Sequence, residues 1–340
     1  MASLVANRDK NWQLPFKRWH VLLGLACIVA VFQLLVLSRW RVHEDKEPVG
    51  KQPSTAFCSK LPPTICAHGG DTSTGLPPNT AAAFQQAIAL GSGCVEIDVA
   101  RTSDNVLIVL HPRDLETLLG EAWHPDLQVG DLSWHDISRL AWAAPQEKHR
   151  ADRAAKSNDY RVLTAAEAVQ MTSPFMDIIL DAKTSDRNPS DEQEMADALV
   201  HLVYNTRCNN CLIWAKSDKV VDLIKDLSPA QRTGYILMNN SEAAISQGMH
   251  LPLRGVQGEV VGAHHGMIDS VLLGLLHQHN KQLYAWTINE DQVLERLLDI
   301  GVDALVTNKP GAALTKIQSL LILCGRSGAL GGYLAHDETL

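Results

Sequence analysis

Two acidic residues stand two positions apart inside a run of apolar residues. The segment CVEIDVA (94–100) carries Glu96 and Asp98 in alternation with valine and isoleucine. In a β-strand, residues two apart leave the same face, so both carboxylates would point to one side of a sheet. Burying two carboxylates without a partner is costly, and a bound cation relieves that cost. Oxygen ligands of this kind suit Mg²⁺ or Ca²⁺, although buried salt bridges produce the same pattern.

A second segment, IILDAKT (178–184), repeats this spacing with one acid and one base. Asp181 and Lys183 would share one face at the end of another strand. Asp181 then supplies a third carboxylate to the same cation, and Lys183 offers a positive charge to a phosphate. A local ion pair between Asp181 and Lys183 is the alternative interpretation.

Histidines end two further apolar runs: His68 closes TICAH (64–68), and His111 closes VLIVLH (106–111). A single histidine at a strand end is more often structural than catalytic. Two of them beside three carboxylates predict an acid–base site, because a neutral and a protonated imidazole on either side of a phosphodiester provide a base and an acid. The pair His264–His265 receives no role, since a solvated loop explains it equally well.

The elements that position these residues alternate between strand and helix from Leu61 onward. Strands spaced by helices predict parallel βαβ units, and about eight such units fit a closed (β/α)₈ barrel, whose catalytic residues converge at the carboxyl ends of the strands. A doubly wound sheet is the alternative, but its dinucleotide-binding form needs G-x-G-x-x-G after the first strand, and HGGDTSTG lacks that spacing. Segment 112–163 is too long for a βα loop and is predicted to insert at the barrel mouth. The apolar runs lie at 64–68, 94–100, 106–111, 177–183, 211–216, 233–238, 255–262, 282–288 and 303–308.

The N-terminus predicts a single-pass membrane anchor. Residues 20–38, HVLLGLACIVAVFQLLVLS, form an apolar run about as long as a helix needs to cross a bilayer, roughly 20 residues. A cleavable signal peptide is the alternative, but the run is longer than a usual signal core and no small-x-small site ends it. Basic residues flank both ends, so a lumenal or extracellular barrel is only mildly preferred. The predicted organisation is an N-terminal tail (1–19), a transmembrane anchor (20–38), a stalk (39–60), a barrel domain (61–325) and a C-terminal tail (326–340).

Composition narrows the classes of partner. The chain has 340 residues and a formal net charge of −8 without a basic block, which argues against nucleic acid. Of its seven cysteines, Cys27 falls in the predicted anchor. Cys208 and Cys211 would close a small disulfide in an oxidising lumen, or else flank a turn as free thiols. One such pair without nearby histidines is a poor zinc signal.

Together these residues resemble the glycerophosphodiester phosphodiesterase family, a metal-dependent barrel similar to phospholipase C. The resemblance covers nearly all of residues 64–311, and with the anchor it looks most like the plant-type, membrane-anchored branch. It implies that His68 and His111 are the acid–base pair. It also implies a metal held by Glu96, Asp98 and Asp181, with Lys183 and Trp286 around the phosphate and substrate. The motifs are AHGG, PPNTAAAFQQAIALG, CVEIDVARTSDNVLIVLHPRDL, VGDLS, LDAKT, LYAWTIN and GVDALVTNKP.

The sequence departs from the family pattern at three positions. Members usually read HRG, with an arginine on the phosphate, where this chain has Gly69. They usually read PENT, where this chain has Pro78, and their third metal ligand is usually a glutamate instead of the shorter Asp181. Losing one charge-assisted contact is worth roughly 1.5–3 kcal/mol, which weakens a site without abolishing it.

The expected function is metal-dependent hydrolysis of glycerophosphodiesters to glycerol 3-phosphate and an alcohol, at a membrane reached through the N-terminal helix. One alternative is a lysophospholipase-D-like hydrolysis of single-chain lysophospholipids. The other is a catalytically weakened, membrane-tethered binding protein of the same fold. Gly69 and Pro78 favour this second alternative.

Overall fold

Eight parallel strands close into a barrel at the centre of the fold. The structure, a computed structural model, describes residues 53–143, 157–185 and 190–326. The strands are β1 (Thr64–His68), β2 (Cys94–Arg101), β3 (Leu107–Val109), β4 (Leu163–Thr164), β5 (Asp177–Ala182), β6 (Cys211–Ala215), β7 (Thr233–Leu237), β8 (Val260–His264), β9 (Gln282–Trp286) and β10 (Ala304–Thr307). All but β3 and β4 form the barrel, which closes because β1 pairs in parallel with both β2 and β10. The predicted (β/α)₈ barrel is confirmed, and the open doubly wound sheet is excluded.

Helices follow most of the barrel strands and cover the outside of the sheet. Several begin at a side chain that caps the free backbone N–H groups of the first turn. Thr80 accepts a hydrogen bond from Ala83 N, and Ser217 accepts one from Val220 N. The helices are α1 (Thr55–Ser59), α2 (Ala81–Ala89), α3 (Leu115–Leu119), α4 (Trp134–Ile137), α5 (Ala165–Thr172), α6 (Asp191–Thr206), α7 (Asp218–Leu227), α8 (Glu242–Ser246), α9 (Ser270–Gln278), α10 (Asp291–Ile300) and α11 (Pro310–Leu323).

Alternation along the strands divides the core into two clusters. Val95, Ile97 and Val99 face outward and pack with apolar residues of the surrounding helices. The inward-facing residues fill the barrel itself. Because Glu96 and Asp98 alternate with the outward-facing residues, they point into the barrel, as their spacing predicts. The inner cluster comprises Cys66, Cys94, Ile179, Leu212, Trp214, Ile236, Val260, Tyr284, Ala304 and Val306.

Strand β3 departs from the predicted arrangement. The run 106–111 suggests another parallel strand, but β3 pairs antiparallel with β2, and β4 pairs antiparallel with β3. The connection explains the direction, because a turn of a few residues can join only antiparallel neighbours, whereas parallel strands need a long crossover. In that turn Thr102 N donates to Val106 O, and Asn105 has a φ of 63°. His111 therefore reaches the site from a strand that runs opposite to the barrel strands.

The segment after His111 forms an irregular subdomain. It contains α3, α4 and short 3₁₀ turns at Pro112–Asp114, Gly120–Ala122 and Val129–Asp131. Their apolar side chains pack in a cluster of their own around Leu110, Leu115 and Ile137. The sequence predicts an insertion here, and its apolar content explains why it folds as a compact unit on β2 and β3.

The first described residues are attached to the barrel. The range 39–60 is predicted to be a stalk, yet α1 packs on the barrel domain through Phe57, which is 2% exposed. Ser54 Oγ donates to Asp299 Oδ1 and Lys60 Nζ donates to Ile300 O, at 2.5 and 2.8 Å. A disulfide joins Cys58 of α1 to Cys324 after α11. The end of the predicted stalk thus belongs to the barrel domain, because it carries an aromatic side chain and a paired cysteine.

The predicted anchor at 20–38 lies outside the described residues, as do the N-terminal tail and nearly all of the C-terminal tail. Within residues 53–143, 157–185 and 190–326, no helix has the length and apolar character needed to cross a bilayer. The anchor therefore stays a prediction from the sequence.

The disulfide between Cys58 and Cys324 spans 266 residues of sequence. A cross-link that closes a long loop restricts the unfolded chain most, and removing one typically costs about 2–5 kcal/mol. We expect Cys58→Ala/Cys324→Ala to lower the free energy of unfolding more than Cys208→Ala/Cys211→Ala, whose disulfide spans three residues. Denaturant unfolding of both double variants measures the difference, and equal losses would contradict it.

Candidate active site

Three carboxylates from two neighbouring strands meet inside the mouth of the barrel. Glu96 and Asp98 come from β2, and Asp181 comes from β5, where it is paired in register with Asp98. One carboxylate oxygen from each lies within 4.8 Å of the others, and all three residues are buried. The structure therefore brings together the three acids that the sequence proposes as metal ligands. Such a cluster of oxygen ligands is suited to a divalent cation.

Burial and neighbouring charges shift the pKa values of the three carboxyl groups. Burial raises the pKa of Glu96 well above its usual value, and the charges of Asp98 and Asp181 raise it further. Burial also raises the pKa of Asp181. For Asp98, burial acts in the same direction, but Lys183, His111 and hydrogen bonds outweigh it and lower the pKa to about 2. The site thus concentrates negative charge that a bound cation would stabilise.

Lys183 is the positive charge nearest to these acids. Its Nζ lies 2.7 Å from Asp98 Oδ1 and also contacts Asp181 Oδ2. The ion pair that the sequence left as an alternative is therefore present, and it includes Asp98 as well. Asp181 Oδ1 is buried and accepts no hydrogen bond from the described residues. A free, buried carboxylate oxygen of this kind fits a metal ligand.

His68 stands at the end of β1, paired in register with Glu96. Its Nδ1 lies 2.8 Å from Asn308 Oδ1, and its Nε2 lies 3.9 Å from Glu96 Oε2. Because the amide oxygen can only accept, the hydrogen bond assigns the ring proton of neutral His68 to Nδ1. Nε2 then carries the lone pair and faces the carboxylate cluster.

His111 is held in the opposite tautomer. Its Nδ1 accepts a hydrogen bond from Arg113 N at 3.2 Å, so the proton of the neutral ring is on Nε2. Burial lowers the pKa of His111 to about 4, and the charges of Lys183, Arg113 and Lys216 add to this effect against the opposing charge of Asp98. The ring is therefore neutral near pH 7 and has an N–H group to donate.

Asn79 and Asn308 belong to the site, although their individual roles were not inferred from the sequence. Asn79 Nδ2 donates to Asp98 Oδ2 at 2.7 Å, and Asp98 N donates to Asn79 Oδ1 at 3.2 Å. Asn79 has a φ of 62°, a conformation that asparagine tolerates better than most residues. Its position next to the cap Thr80 in PPNT was the available signal. For Asn308, which binds His68, the sequence signal is weaker and consists only of its position directly after β10.

Comparisons with known proteins give the family of this chain. The sequence model of the "Glycerophosphoryl diester phosphodiesterase family" matches residues 68–312. A glycerophosphodiester phosphodiesterase of Arabidopsis thaliana is 34% identical over 268 residues, which is 78% of this chain and 77% of the relative. This chain belongs to the glycerophosphoryl diester phosphodiesterase family. The resemblance inferred from the motifs is confirmed, and with it the assignment to an enzyme family of phosphodiester hydrolases.

Solved structures of phosphodiesterases share the fold. A glycerophosphodiester phosphodiesterase from Parabacteroides distasonis superposes with a TM-score of 0.60 at 17% identity, covering 76% of this chain and 98% of the other. A phosphodiesterase from Oleispira antarctica in complex with the product sn-glycerol-3-phosphate gives a TM-score of 0.59 at 20% identity, covering 76% and 97%. At these identities the similarity concerns the barrel and not individual side chains.

Two of the three departures from the family pattern, Gly69 and Pro78, lie against each other. Gly69 has a φ of 63°, and a Cβ added there would approach Pro78 Cβ to 2.9 Å. Gly69 N donates to Glu96 O and Glu96 Oε2, while Asn79 N donates to Gly69 O. The backbone of this turn therefore binds Glu96 at the site. Pro78 fills the space that a side chain at position 69 would need.

Trp286 lies on the far side of the mouth, at the end of β9. It is paired in register with His264 of β8, and the two rings meet edge to face with centroids 5.5 Å apart. Trp286 Nε1 is buried without a hydrogen-bond partner among the described residues. His264, which received no role from the sequence, stacks on His265 as well. These residues form an aromatic side of the mouth, in the region where the family resemblance implies substrate binding.

Asn79→Gly should destabilise the site without straining the turn, because glycine accepts a positive φ readily. The variant removes the donor to Asp98 Oδ2 and leaves that buried oxygen without its amide partner, a loss worth about 1–3 kcal/mol. Denaturant unfolding should show this decrease, and metal affinity measured by calorimetry should fall with it. Asn105→Gly is the control, since Asn105 has a similar φ of 63° in the turn between β2 and β3. Equal effects of the two variants would assign no special role to Asn79.

Proposed function

We propose that the barrel hydrolyses glycerophosphodiesters to glycerol 3-phosphate and an alcohol, with Mg²⁺ or Ca²⁺ held by Glu96, Asp98 and Asp181. The observation that carries the proposal is the convergence of these three buried carboxylates at the same mouth as His68 and His111. When bound, the cation would polarise the phosphoryl oxygens and offset the charge that develops on them. The buried Asp181 Oδ1, which has no partner among the described residues, supports such a ligand.

The tautomers of the two histidines suggest different roles. His68 Nε2 carries the lone pair, because Asn308 holds the proton on Nδ1. We assign to it the removal of the proton from the attacking hydroxyl. The family resemblance suggests that this is the substrate's own glycerol hydroxyl, in which case the alcohol leaves, a cyclic phosphate forms and water then opens it to glycerol 3-phosphate. Direct attack by water on the diester is the alternative and gives the same products. Glu96, 3.9 Å from His68 Nε2, would stabilise the resulting imidazolium. His111 presents Nε2–H and would donate a hydrogen bond to the leaving alcohol oxygen.

Lys183 and Trp286 complete the proposed substrate site. Lys183 is held between Asp98 and Asp181, so its charge lies beside the place where a phosphate would meet the cation. Trp286 Nε1 is a buried donor without a partner in the described part of the chain, and a substrate oxygen could accept from it. Its ring would pack against the glycerol carbons.

The enzyme is further proposed to be anchored by residues 20–38, with the barrel in a lumenal or extracellular compartment. Its six described cysteines pair as Cys58–Cys324, Cys66–Cys94 and Cys208–Cys211. Disulfides persist in oxidising compartments and are rare in the cytosol, so three of them favour this location. The even pairing also favours the disulfide interpretation of Cys208 and Cys211 over free thiols.

Release of glycerol 3-phosphate from glycerophosphocholine tests the proposal. The purified chain should be active with added Mg²⁺ or Ca²⁺ and inactive after chelation. His111→Ala should lose activity by about 10²–10⁴-fold, the usual contribution of such a group. His277→Ala, at a half-exposed histidine paired with Asp303 away from the mouth, should retain it. Faster hydrolysis of lysophosphatidylcholine would favour the lysophospholipase-D-like alternative. A wild-type rate no higher than that of His111→Ala, with either metal, would favour the weakened binding protein.

A further inference from the structure

The proposed phosphodiesterase activity would benefit from a side-chain cation that is free to contact the phosphate, in addition to the bound metal and Lys183. The arginine that family members usually place on the phosphate is absent, because position 69 is glycine. Lys183 is already shared by Asp98 and Asp181. Arg113 is 64% exposed and lies 3.9 Å from Asp114, and Lys309 Nζ donates to Asn289 O. Lys183 and Lys309 are therefore engaged with other groups around the mouth, whereas Arg113 is only weakly paired.

Lys216 differs from them in having no such partner. It follows directly after β6, is exposed, and forms no hydrogen bond or ion pair with the residues that the structure describes. The register pairs Asp181 with Trp214 and Ala182 with Ala215, which places Lys216 beside Lys183. Trp214 faces the barrel interior, and Lys216 stands two residues further along, above it at the mouth.

The electrostatics agree with this placement. The positive charge of Lys216 contributes, after burial, Lys183 and Arg113, to the low pKa of His111. It also opposes the effect of burial on the pKa of Asp181. Lys216 is thus close enough to act on groups on both sides of the site, while its ammonium remains available for a ligand.

We propose that Lys216 binds the substrate phosphate and takes the place of the arginine missing at position 69. The inference rests on the proposed phosphodiesterase function and names a residue that neither the motifs nor the comparisons assign. A lysine offers a mobile point charge from the β6 side, whereas the family arginine would approach from the turn after β1. With this contact, Gly69 and Pro78 can remain as they are without leaving the phosphate short of a cation.

Lys216→Gln and Lys219→Gln form a matched pair of variants. Lys219 lies three residues further along, at the start of α7, and pairs with Glu192 at 3.0 Å. Binding of sn-glycerol 3-phosphate in the presence of Ca²⁺ should weaken about 10–100-fold in Lys216→Gln, the loss of one charge-assisted contact. KM for glycerophosphocholine should rise by a similar factor. Lys219→Gln should match the wild type in both measurements, and Lys216→Arg should retain most of the binding.

The outcomes separate this inference from the proposed function. An active wild type with unchanged product binding in Lys216→Gln overturns the role of Lys216 alone. A wild type that neither binds the product nor hydrolyses the substrate overturns the proposed function, and the inference with it. Thermal unfolding of each variant checks that the fold is intact, as expected for substitutions at two exposed residues.

A second inference concerns the loop after β7. Asn239-Asn240-Ser241 has the acceptor pattern for N-linked glycosylation, Asn-x-Ser without proline. All three residues are exposed, and Asn239 forms no hydrogen bond with described residues. Ser241 caps α8 by accepting from Ala244 N at 3.1 Å. The acceptor amide therefore stands on the surface, and attaching a glycan to it breaks no contact of the described fold.

The three disulfides are an independent observation that favours a secretory compartment, because disulfides persist where the environment is oxidising. We infer that Asn239 is glycosylated there. In the reaction, Asn239 Nδ2 bonds to the anomeric carbon of a lipid-diphosphate-linked oligosaccharide, the bond from that carbon to the diphosphate breaks, and Nδ2 loses one proton. The modification would occur only on a barrel that faces the lumen, so it also reports the orientation of the chain.

The full chain expressed in a eukaryotic secretory host provides the test. Treatment with peptide N-glycosidase should increase its electrophoretic mobility by one glycan. Asn239→Gln and Ser241→Ala should each abolish that shift, whereas Asn240→Gln should retain it. Ser241→Thr should retain it too, because threonine preserves both the acceptor pattern and the helix cap. A wild-type chain without any shift overturns the inference, as does a shift that persists in Asn239→Gln.

Discussion

The pairing of Asp98 with Asp181 is the constraint on which the site depends. The register between β2 and β5 sets these two buried acids directly side by side, with Glu96 one step below on the same face. Two unit charges about 4 Å apart repel by about 4 kcal/mol at an effective dielectric constant near 20. A slip of one residue would turn Asp181 toward the helices and remove the repulsion together with the site. The apolar residues that alternate with the acids hold the register against this cost.

The surroundings compensate the repulsion from several directions. Lys183 contributes an ammonium group, Asn79 donates to Asp98, and Gly69 N donates to Glu96. Glu96, Asp98 and Asp181 offer three carboxyl groups against the single ammonium group of Lys183, so negative charge remains at the site. The remaining charge and the free oxygen of Asp181 suit a divalent cation more than another hydrogen bond. Below the acids, the Cys66–Cys94 disulfide links β1 to β2 one interior layer beneath His68 and Glu96.

Much of this arrangement follows from the sequence because it is periodic. Alternation around Glu96 and Asp98 predicts their common face, and strands separated by helices predict the parallel barrel. The direction of β3 depends instead on the turn at Asn105. The apolar residues that follow this turn look the same in the sequence as those of a parallel strand. The contacts of Asn79 with Asp98 and of Asn308 with His68 join residues far apart in the chain, which no local pattern encodes. Cysteine spacing likewise leaves the pairing of Cys58 with Cys324 undetermined.

Gly69 and Pro78 illustrate why departures from a motif are best interpreted together. Taken singly, Gly69 indicates a lost phosphate contact, and Pro78 indicates a lost acidic residue. In the structure, Pro78 occupies the space beside Gly69, and the turn places Asn79 on Asp98 and the backbone of Gly69 on Glu96. An arginine introduced at position 69 alone would collide with Pro78. It would also have to adopt a left-handed backbone conformation, which costs roughly 1–2 kcal/mol for a residue with a side chain. The two substitutions therefore form one alternative turn. It keeps the hydrogen bonds of the turn with Glu96 and Asp98, and a side-chain contact with the phosphate would then come from another strand.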